Sequence, residues 1–172
     1  MIIVNNTHFD IDAEAVVLME LMLYPSKEKV GLLSDTDFHR DLHKWMFQAV
    51  KEIMAQGREI EIKEIRDIVN AKTGYDFSSE IVGILRHADW YIEIEFAKRV
   101  AENGIAEAVK QPEVDLSQYI TQLKQSTTCR AVETLTAGII ARVKHGQDPT
   151  QQIYELNKVL GKGKVKGVRL TK

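Results

Sequence analysis

The chain predicts an all-α fold, and three features of the sequence indicate it. Apolar residues recur at steps of three or four along most of the chain, the spacing that collects side chains on one face of a helix. Glycine and proline fall between these periodic segments, where helices end. With 172 residues, 44% of them hydrophobic, the chain can bury a core without disulfides or metals. We expect a compact multi-helix head (residues 1–110), a C-terminal antiparallel helical hairpin (114–160) and a basic tail (161–172).

The first periodic segment predicts a helix over residues 12–24, which Pro25 ends. Its apolar residues are Ala15, Leu18, Met19, Met22 and Leu23. A short helical segment over residues 27–33 follows. It leads to Ser34 and Asp35, which are residue types that cap helix N-termini.

The strongest helical pattern runs from Asp37 to Met54. Its apolar residues are Phe38, Leu42, Trp45, Met46, Ala49, Val50 and Ile53. Acidic residues at its start and Lys51 near its end suit the helix dipole, and Gly57 is placed to end the helix. We therefore expect this segment to form the centre of the core.

The middle of the chain predicts an extended stretch at 59–62, a helix over 64–71 that Gly74 ends, and a helix over 78–87. Residues 88–113 allow two interpretations, because Trp90, Ile92, Ile94 and Phe96 alternate with polar residues as in a strand. We favour a helix reaching Asn103, since no partner strand is near and an isolated strand is not stable.

The hairpin is predicted from two further periodic segments, over 116–143 and 150–160. A polar run, Lys124–Thr128, could break or bend the first helix. The turn between them, residues 145–149, contains Gly146 and Pro149 in suitable places. Two helices joined by so short a turn are expected to run antiparallel.

The sequence contains no motif of a known catalytic site. A G-x-x-x-x-G-K-[ST] phosphate loop, G-x-S-x-G, H-E-x-x-H and C-x-x-C are all missing from it. We therefore expect no enzyme activity and no cofactor. One cysteine, no signal peptide and no apolar run near 18 residues predict a cytoplasmic protein with no membrane segment.

Two features could carry chemistry of their own. His39 and His43 lie one helical turn apart, downstream of Asp35 and Asp37, a spacing that can bind a metal ion. A third strong ligand is missing, so capping and packing explain these residues better, and we expect His43 to be partly buried and hydrogen-bonded. Cys129 has no evident activating partner and is expected to be an ordinary thiol.

Charge is unevenly distributed along the chain. The last twelve residues hold five bases and no acid, so that the first 160 residues carry a formal charge of −7 within a total of −2. Such a tail is either a solvated end or a contact for nucleic acid or an acidic partner. The bases we expect to make that contact are Lys162, Lys164, Lys166 and Arg169.

Two segments resemble the N-terminal domain of DnaB-type replicative helicases. In HFDIDAEAVVLMELMLYP (His8–Pro25), a histidine and an acid precede the A-E dipeptide Ala13–Glu14, and an apolar helix follows. DFHRDLHKWMF is similar to the family's D-F-Y-R-x-x-H-x-x-I-F. The matching residues are Asp37, Phe38, Arg40, His43 and Phe47. With Gly57 and the acidic and apolar stretch after it, the resemblance covers residues 8–70.

Some positions depart from the family pattern. Met19 stands where the family usually has glycine, and His39 stands where it has tyrosine. The V-P-S turn before the hairpin is replaced by the longer segment Trp90–Pro112, and the hairpin, with Tyr119 and Arg130, resembles the family's second subdomain more loosely.

The resemblance implies a non-catalytic assembly module of DNA replication. In such helicases this domain dimerises through its hairpin, builds a collar above the ATPase ring, and binds primase or loader proteins. The start methionine and the basic tail suggest a stand-alone protein. We expect it to form homo- or hetero-oligomers and to act on a replicative helicase as a loader, adaptor or inhibitor of the kind that phages and mobile elements encode.

The hairpin is the expected partner-binding surface, because its apolar stripe exceeds what two helices can hide from water. The residues we expect there are Tyr119, Leu123, Val132, Leu135, Ile139, Val143, Ile153 and Leu156. Two alternatives remain open. The chain could be a DNA-binding replication or regulatory factor that uses its tail, or the N-terminal piece of a full helicase that binds primase.

Overall fold

Helices make up all the regular secondary structure in the part of the chain that the computed structural model describes, residues 11–105 and 116–162. The helices are α1 (Ile11–Leu23), α2 (Lys27–Gly31), a 3₁₀ turn (Asp35–Asp37), α3 (Asp41–Ala55), α4 (Ile62–Thr73), α5 (Ser78–Asn103), α6 (Leu116–Lys144) and α7 (Thr150–Lys162). The predicted all-α fold is confirmed. None of these helices is both long enough and apolar enough to cross a membrane.

The described residues form two compact units. The head unit contains residues 11–105 and 116–124, and the C-terminal unit contains residues 125–162. The division falls inside α6.

The head unit encloses the hydrophobic core, to which α1, α3, α4, α5 and the first turns of α6 contribute. Its buried side chains include Val17, Leu18, Leu21, Phe38, Met46, Phe47, Val50, Ile53, Ile65, Val69, Ile81, Leu116, Ile120 and Leu123. The rings of Phe38 and Phe47 pack with their centroids 4.8 Å apart. The expectation that the segment from Asp37 to Met54 supplies the centre of the core agrees with these contacts.

The start of that segment is not one continuous helix. After the 3₁₀ turn, Phe38 and Arg40 have extended backbone, and α3 begins only at Asp41. At its other end, Gly57 adopts a φ of 68°, Arg58 N–H bonds to Ile53 C=O at 3.2 Å, and Gly57 N–H bonds to Met54 C=O at 3.1 Å. This is the Schellman arrangement that a glycine after a helix permits.

Helix α5 continues without a break through His87 to Asn103, so the strand interpretation of residues 90–96 is wrong. Ala88 is fully buried and packs with Ala15 and Val16 of α1. Small residues at this contact let the two helices approach closely. These contacts with α1 keep residues 88–92 helical, although the alternation of apolar and polar residues that begins at Trp90 would suit a strand equally well.

The C-terminal unit contains the rest of α6 and α7. The polar run Lys124–Thr128 does not interrupt α6, and Gly146, with a φ of 65°, ends the turn that follows it. Asp148 accepts hydrogen bonds from the hydroxyl and the backbone N–H of Thr150, and these bonds lower the pKa of Asp148. Gly138 and Gln152 are neighbours, but the antiparallel hairpin itself stays a prediction.

Candidate functional site

Glu14 of the A-E dipeptide is fully buried and joins α1 to the start of α3. Its Oε1 accepts the backbone N–H of His39 at 2.6 Å, and its Oε2 accepts the N–H of Arg40 at 3.5 Å and Nδ1–H of His43 at 2.7 Å. Both oxygens face N–H donors, as an ionised carboxylate requires. Glu14 therefore holds the extended backbone that precedes α3.

His39 and His43, the pair that could have bound a metal ion, make hydrogen bonds to Glu14 instead. His43 is fully buried, more than we expected, and its Nδ1 is occupied by Glu14. His39 is exposed, and its backbone N–H also bonds to Glu14. In the described residues no three His, Cys, Asp or Glu side chains come together in a way that could hold a metal ion.

The two upstream acids also make structural contacts. Asp37 is buried and accepts the N–H of Ser34 at 2.8 Å and an ammonium proton of Lys124 at 3.2 Å. Asp35 accepts from Gln48 Nε2 at 2.7 Å and from Lys51. Partial burial raises the pKa of Asp35, but the bonds from Lys51 and Gln48 outweigh it and leave the pKa below its ordinary value.

The eight residues predicted to bind a partner are divided between the two units. Leu123 is buried in the core of the head unit, and Tyr119 is half-buried there, 6.4 Å from the ring of Tyr91. The other six belong to the C-terminal unit. Val132, Leu135, Ile139 and Leu156 are half-buried, whereas Val143 is 60% exposed and Ile153 is 43% exposed.

The C-terminal unit also exposes three large apolar residues that we did not assign to a partner site: Ile140, Tyr154 and Leu160. Ile140 lies three residues before Val143 and Leu160 lies seven residues after Ile153, a helical spacing that indicates these two residues, whereas Tyr154 directly follows Ile153 and has no such signal. We call the five exposed residues Ile140, Val143, Ile153, Tyr154 and Leu160 the apolar set. Between residues 125 and 161, no side chain is fully buried, so this unit has no core of its own. Of the predicted basic contacts, Lys162 ends α7, while Lys164, Lys166 and Arg169 lie outside the described residues.

The head unit contains a groove of about 670 Å³ that sequence reasoning missed. Its apolar lining comes from the end of α1, from residues 60–62 and from α5, and includes Met19, Leu23 and Val82. The residues come from three separate segments, so no local pattern could have indicated the groove.

A family model described as the DnaB-like helicase N-terminal domain matches residues 6–102. No curated protein matches the chain. Among solved structures, the N-terminal domain of DnaB helicase from Mycobacterium tuberculosis is similar over 89% of this chain and 96% of that one, with a TM-score of 0.53 and 14% sequence identity. At that identity, the likeness concerns the fold.

Proposed function

The chain belongs to the family of DnaB-like helicase N-terminal domains, and from this premise we propose that it is a non-catalytic assembly module that binds a replicative helicase. The observation that carries the proposal is the apolar set on a unit that lacks a buried core. Water-exposed apolar residues of this density are typical of surfaces that bind another protein.

Complete burial of a fully exposed Val, Ile or Leu side chain contributes about 1.5–3 kcal/mol. The members of the apolar set are already about half covered, so a partner has to bury most of the set to offset the free-energy cost of association. Arg142 and Lys144 flank Val143 on α6, and Lys158 lies between Tyr154 and Leu160 on α7. The apolar set thus has basic neighbours in the sequence. Lys158 pairs with Glu155 of the same helix at 3.9 Å, so Arg142 and Lys144 are the bases that support contact with acidic groups of a partner.

The partner we propose is the collar domain of a replicative helicase, or a second copy of this chain. A domain of the same fold presents a comparable helix pair, and similar apolar surfaces can cover one another in a two-fold arrangement. Bound to a helicase, the chain acts as a loader, adaptor or inhibitor of the kind found in phages and mobile elements. As the N-terminal part of a full helicase, it uses the same surface to assemble the collar and to bind primase.

Co-migration with the cognate replicative helicase in size-exclusion chromatography with light scattering tests the proposal. Ile153→Glu places a charge in the apolar set, so we expect binding to weaken at least about tenfold, or about 1.4 kcal/mol. Leu32→Glu is the matched control, because Leu32 is 52% exposed on the head unit. The proposal fails if the wild-type chain does not co-migrate, or if both variants bind equally.

The second candidate is DNA binding through the basic C-terminus, which the five bases in the last twelve residues favour. Binding of this kind is independent of sequence and weakens steeply with salt. Deleting residues 161–172 separates the two functions. Helicase binding should survive the deletion, whereas fluorescence anisotropy should show that DNA binding is lost.

A further inference from the structure

The groove of about 670 Å³ in the head unit is an apolar surface that the described part of the chain leaves uncovered. Leu23, Ile62 and Val82 line it from three separate segments, and all three are exposed. Met19 and Met22 also line it, and methionine side chains adapt to apolar partners of different shape. The groove can therefore receive apolar side chains from another molecule.

The α5 wall of the groove has the length of two helical turns. Its lining residues follow one another at helical spacing and share one face of the helix: Val82, Leu85, Arg86 and Asp89. From the first to the last of them, the helix rises about 10 Å. Grooves walled in this way bind a helix whose apolar residues repeat at the same spacing.

Helix α7 has an exposed apolar face of that length. Ile153 and Leu160 lie on the same face of the helix, about 10 Å apart along its axis, and both are exposed. The apolar spacing of α7 therefore matches the α5 wall of the groove.

Charge selects a second copy of this chain as the source of the helix. Residues 125–172 contain nine bases and three acids, a formal charge of +6, so residues 1–124 carry −8 within the total of −2. The acidic part of one copy therefore attracts the basic part of another. A two-fold contact between two C-terminal units would instead bring like charges together.

The charges at the groove itself also suit α7. Four charged residues line it, and none of them forms an ion pair within the described residues: Glu61, Lys63, Arg86 and Asp89. Helix α7 likewise carries both signs, because Lys158 pairs with Glu155 of the same helix only at 3.9 Å. Lys158 is exposed and can exchange this long ion pair for an acid of the groove.

We propose that the groove of one copy binds α7 of a second copy, head to tail. Ile153 and Leu160 pack on Val82 and on the methionines, and the ammonium group of Lys158 pairs with Asp89. The contact is heterologous, so each added copy leaves one groove and one α7 free, and assembly continues as a chain or closes into a ring. This inference rests on the proposed function, because it assigns one of the two proposed partners, the second copy, to a surface.

A mixture of two variants tests the arrangement, with the full-length chain alone in sedimentation velocity. Val82→Glu places a charge in the groove and Ile153→Glu places one on α7, so each should weaken self-association at least about tenfold. Mixed in equal amounts, they should form a dimer of one copy each, because the intact α7 of the first meets the intact groove of the second. Leu32→Glu, at an exposed position of the head unit outside the groove, should associate like the wild-type chain.

Three results would overturn the inference. They are a wild-type chain that stays monomeric up to about 1 mM, a Val82→Glu variant that associates like the wild type, and a mixture that does not form the dimer. The second result would indicate a two-fold contact between C-terminal units. Recovery in the mixture also requires both variants to be folded, so loss of structure cannot imitate the expected result.

The dependence on salt tests the choice of occupant. Raising the salt concentration from about 0.1 M to about 1 M shortens the Debye length from about 10 Å to about 3 Å, so attraction between the acidic and basic parts weakens. Self-association should weaken with it. Association that is unchanged or strengthened by salt contradicts the head-to-tail contact.

Helicase binding is measured separately, so the two proposals can fail independently. Val82→Glu leaves the apolar set intact and should co-migrate with the replicative helicase as the wild-type chain does. A chain that binds the helicase but stays monomeric contradicts this inference alone. A chain that self-associates in the expected way but does not bind the helicase contradicts only the helicase as partner.

Discussion

Glu14 joins two helices that are distant in sequence through a single buried carboxylate. Its partners lie 25 to 29 residues further along the chain, in the extended stretch before α3 and in its first turn. Three N–H groups donate to this carboxylate, so its removal leaves the buried Nδ1–H of His43 and two partly buried backbone N–H groups without their acceptor. The signature residues Glu14 and His43 are thus explained by the stability of the head unit.

Replacing Glu14 with glutamine keeps the shape of the side chain but puts an N–H₂ group where an acceptor is needed. We expect a loss of about 3 kcal/mol in the free energy of unfolding, as for other broken buried pairs, measured by urea denaturation. Glu20→Gln is the control, because Glu20 pairs with Lys29 at 3.1 Å near the surface, where an ion pair contributes about 0–1 kcal/mol. Equal losses in both variants would contradict this explanation.

Asp35 makes the free energy of unfolding depend on pH in the acidic range. Its pKa in the folded chain lies below the ordinary value of 3.8, so its contribution is present above that value and is lost as the pH falls through the folded pKa. We expect Asp35→Asn to destabilise the chain at neutral pH by less than about 1 kcal/mol, because the group is over a third exposed. The difference should disappear in urea titrations repeated below the folded pKa.

Lys51→Met tests the cause of that effect, since Lys51 donates one of the bonds that lower the pKa of Asp35. In this background, Asp35→Asn should cost less than in the wild-type chain. An unchanged difference would mean that Lys51 does not stabilise the carboxylate.

Among the elements, α5 depends most on its packing. Its middle is placed by Ala88 against Ala15 and Val16 of α1, and a larger side chain has no room there. Ala88→Leu should therefore lower the free energy of unfolding by about 1–3 kcal/mol through overpacking, as measured by thermal denaturation. Ala97→Leu, at an exposed position of the same helix, should change it little. A destabilisation as large at position 97 would point to helix propensity instead.

The helices were predictable where the sequence contains both a periodic stripe and a glycine or proline at the end. This is why α1, the end of α3 and the turn at Gly146 agree with expectation. The extended stretch at His39 and Arg40 was not predictable, because it is fixed by hydrogen bonds to Glu14, which belongs to a different helix, α1. Leu123 belongs to the same apolar stripe of α6 as the residues that follow it. The sequence therefore could not show that Leu123 is buried in the core of the head unit while the later residues are not.

At the scale of the whole molecule, the two units differ in how much apolar surface they bury. The head unit has a continuous apolar core, whereas the C-terminal unit leaves Val143, Tyr154 and Leu160 more than half exposed. Local opening requires least free energy where few apolar contacts are buried. Backbone amides of α7 should therefore exchange with deuterium much faster than those of α3. Binding of a helicase should slow exchange in α7 selectively, and uniform exchange in both helices would contradict the difference.

The contacts of Glu14 also set an order in which the head unit can fold. The hydrogen bonds that fix His39 and Arg40 close a loop of about 25 residues. Closing a loop lowers the entropy of the chain, and this loss occurs before the contacts inside the loop can stabilise it. The start of α3 thus cannot reach its native geometry until α1 has docked beside it. A truncated chain that lacks α1 would still form the apolar face of α3, but the backbone at His39 and Arg40 would have no fixed conformation.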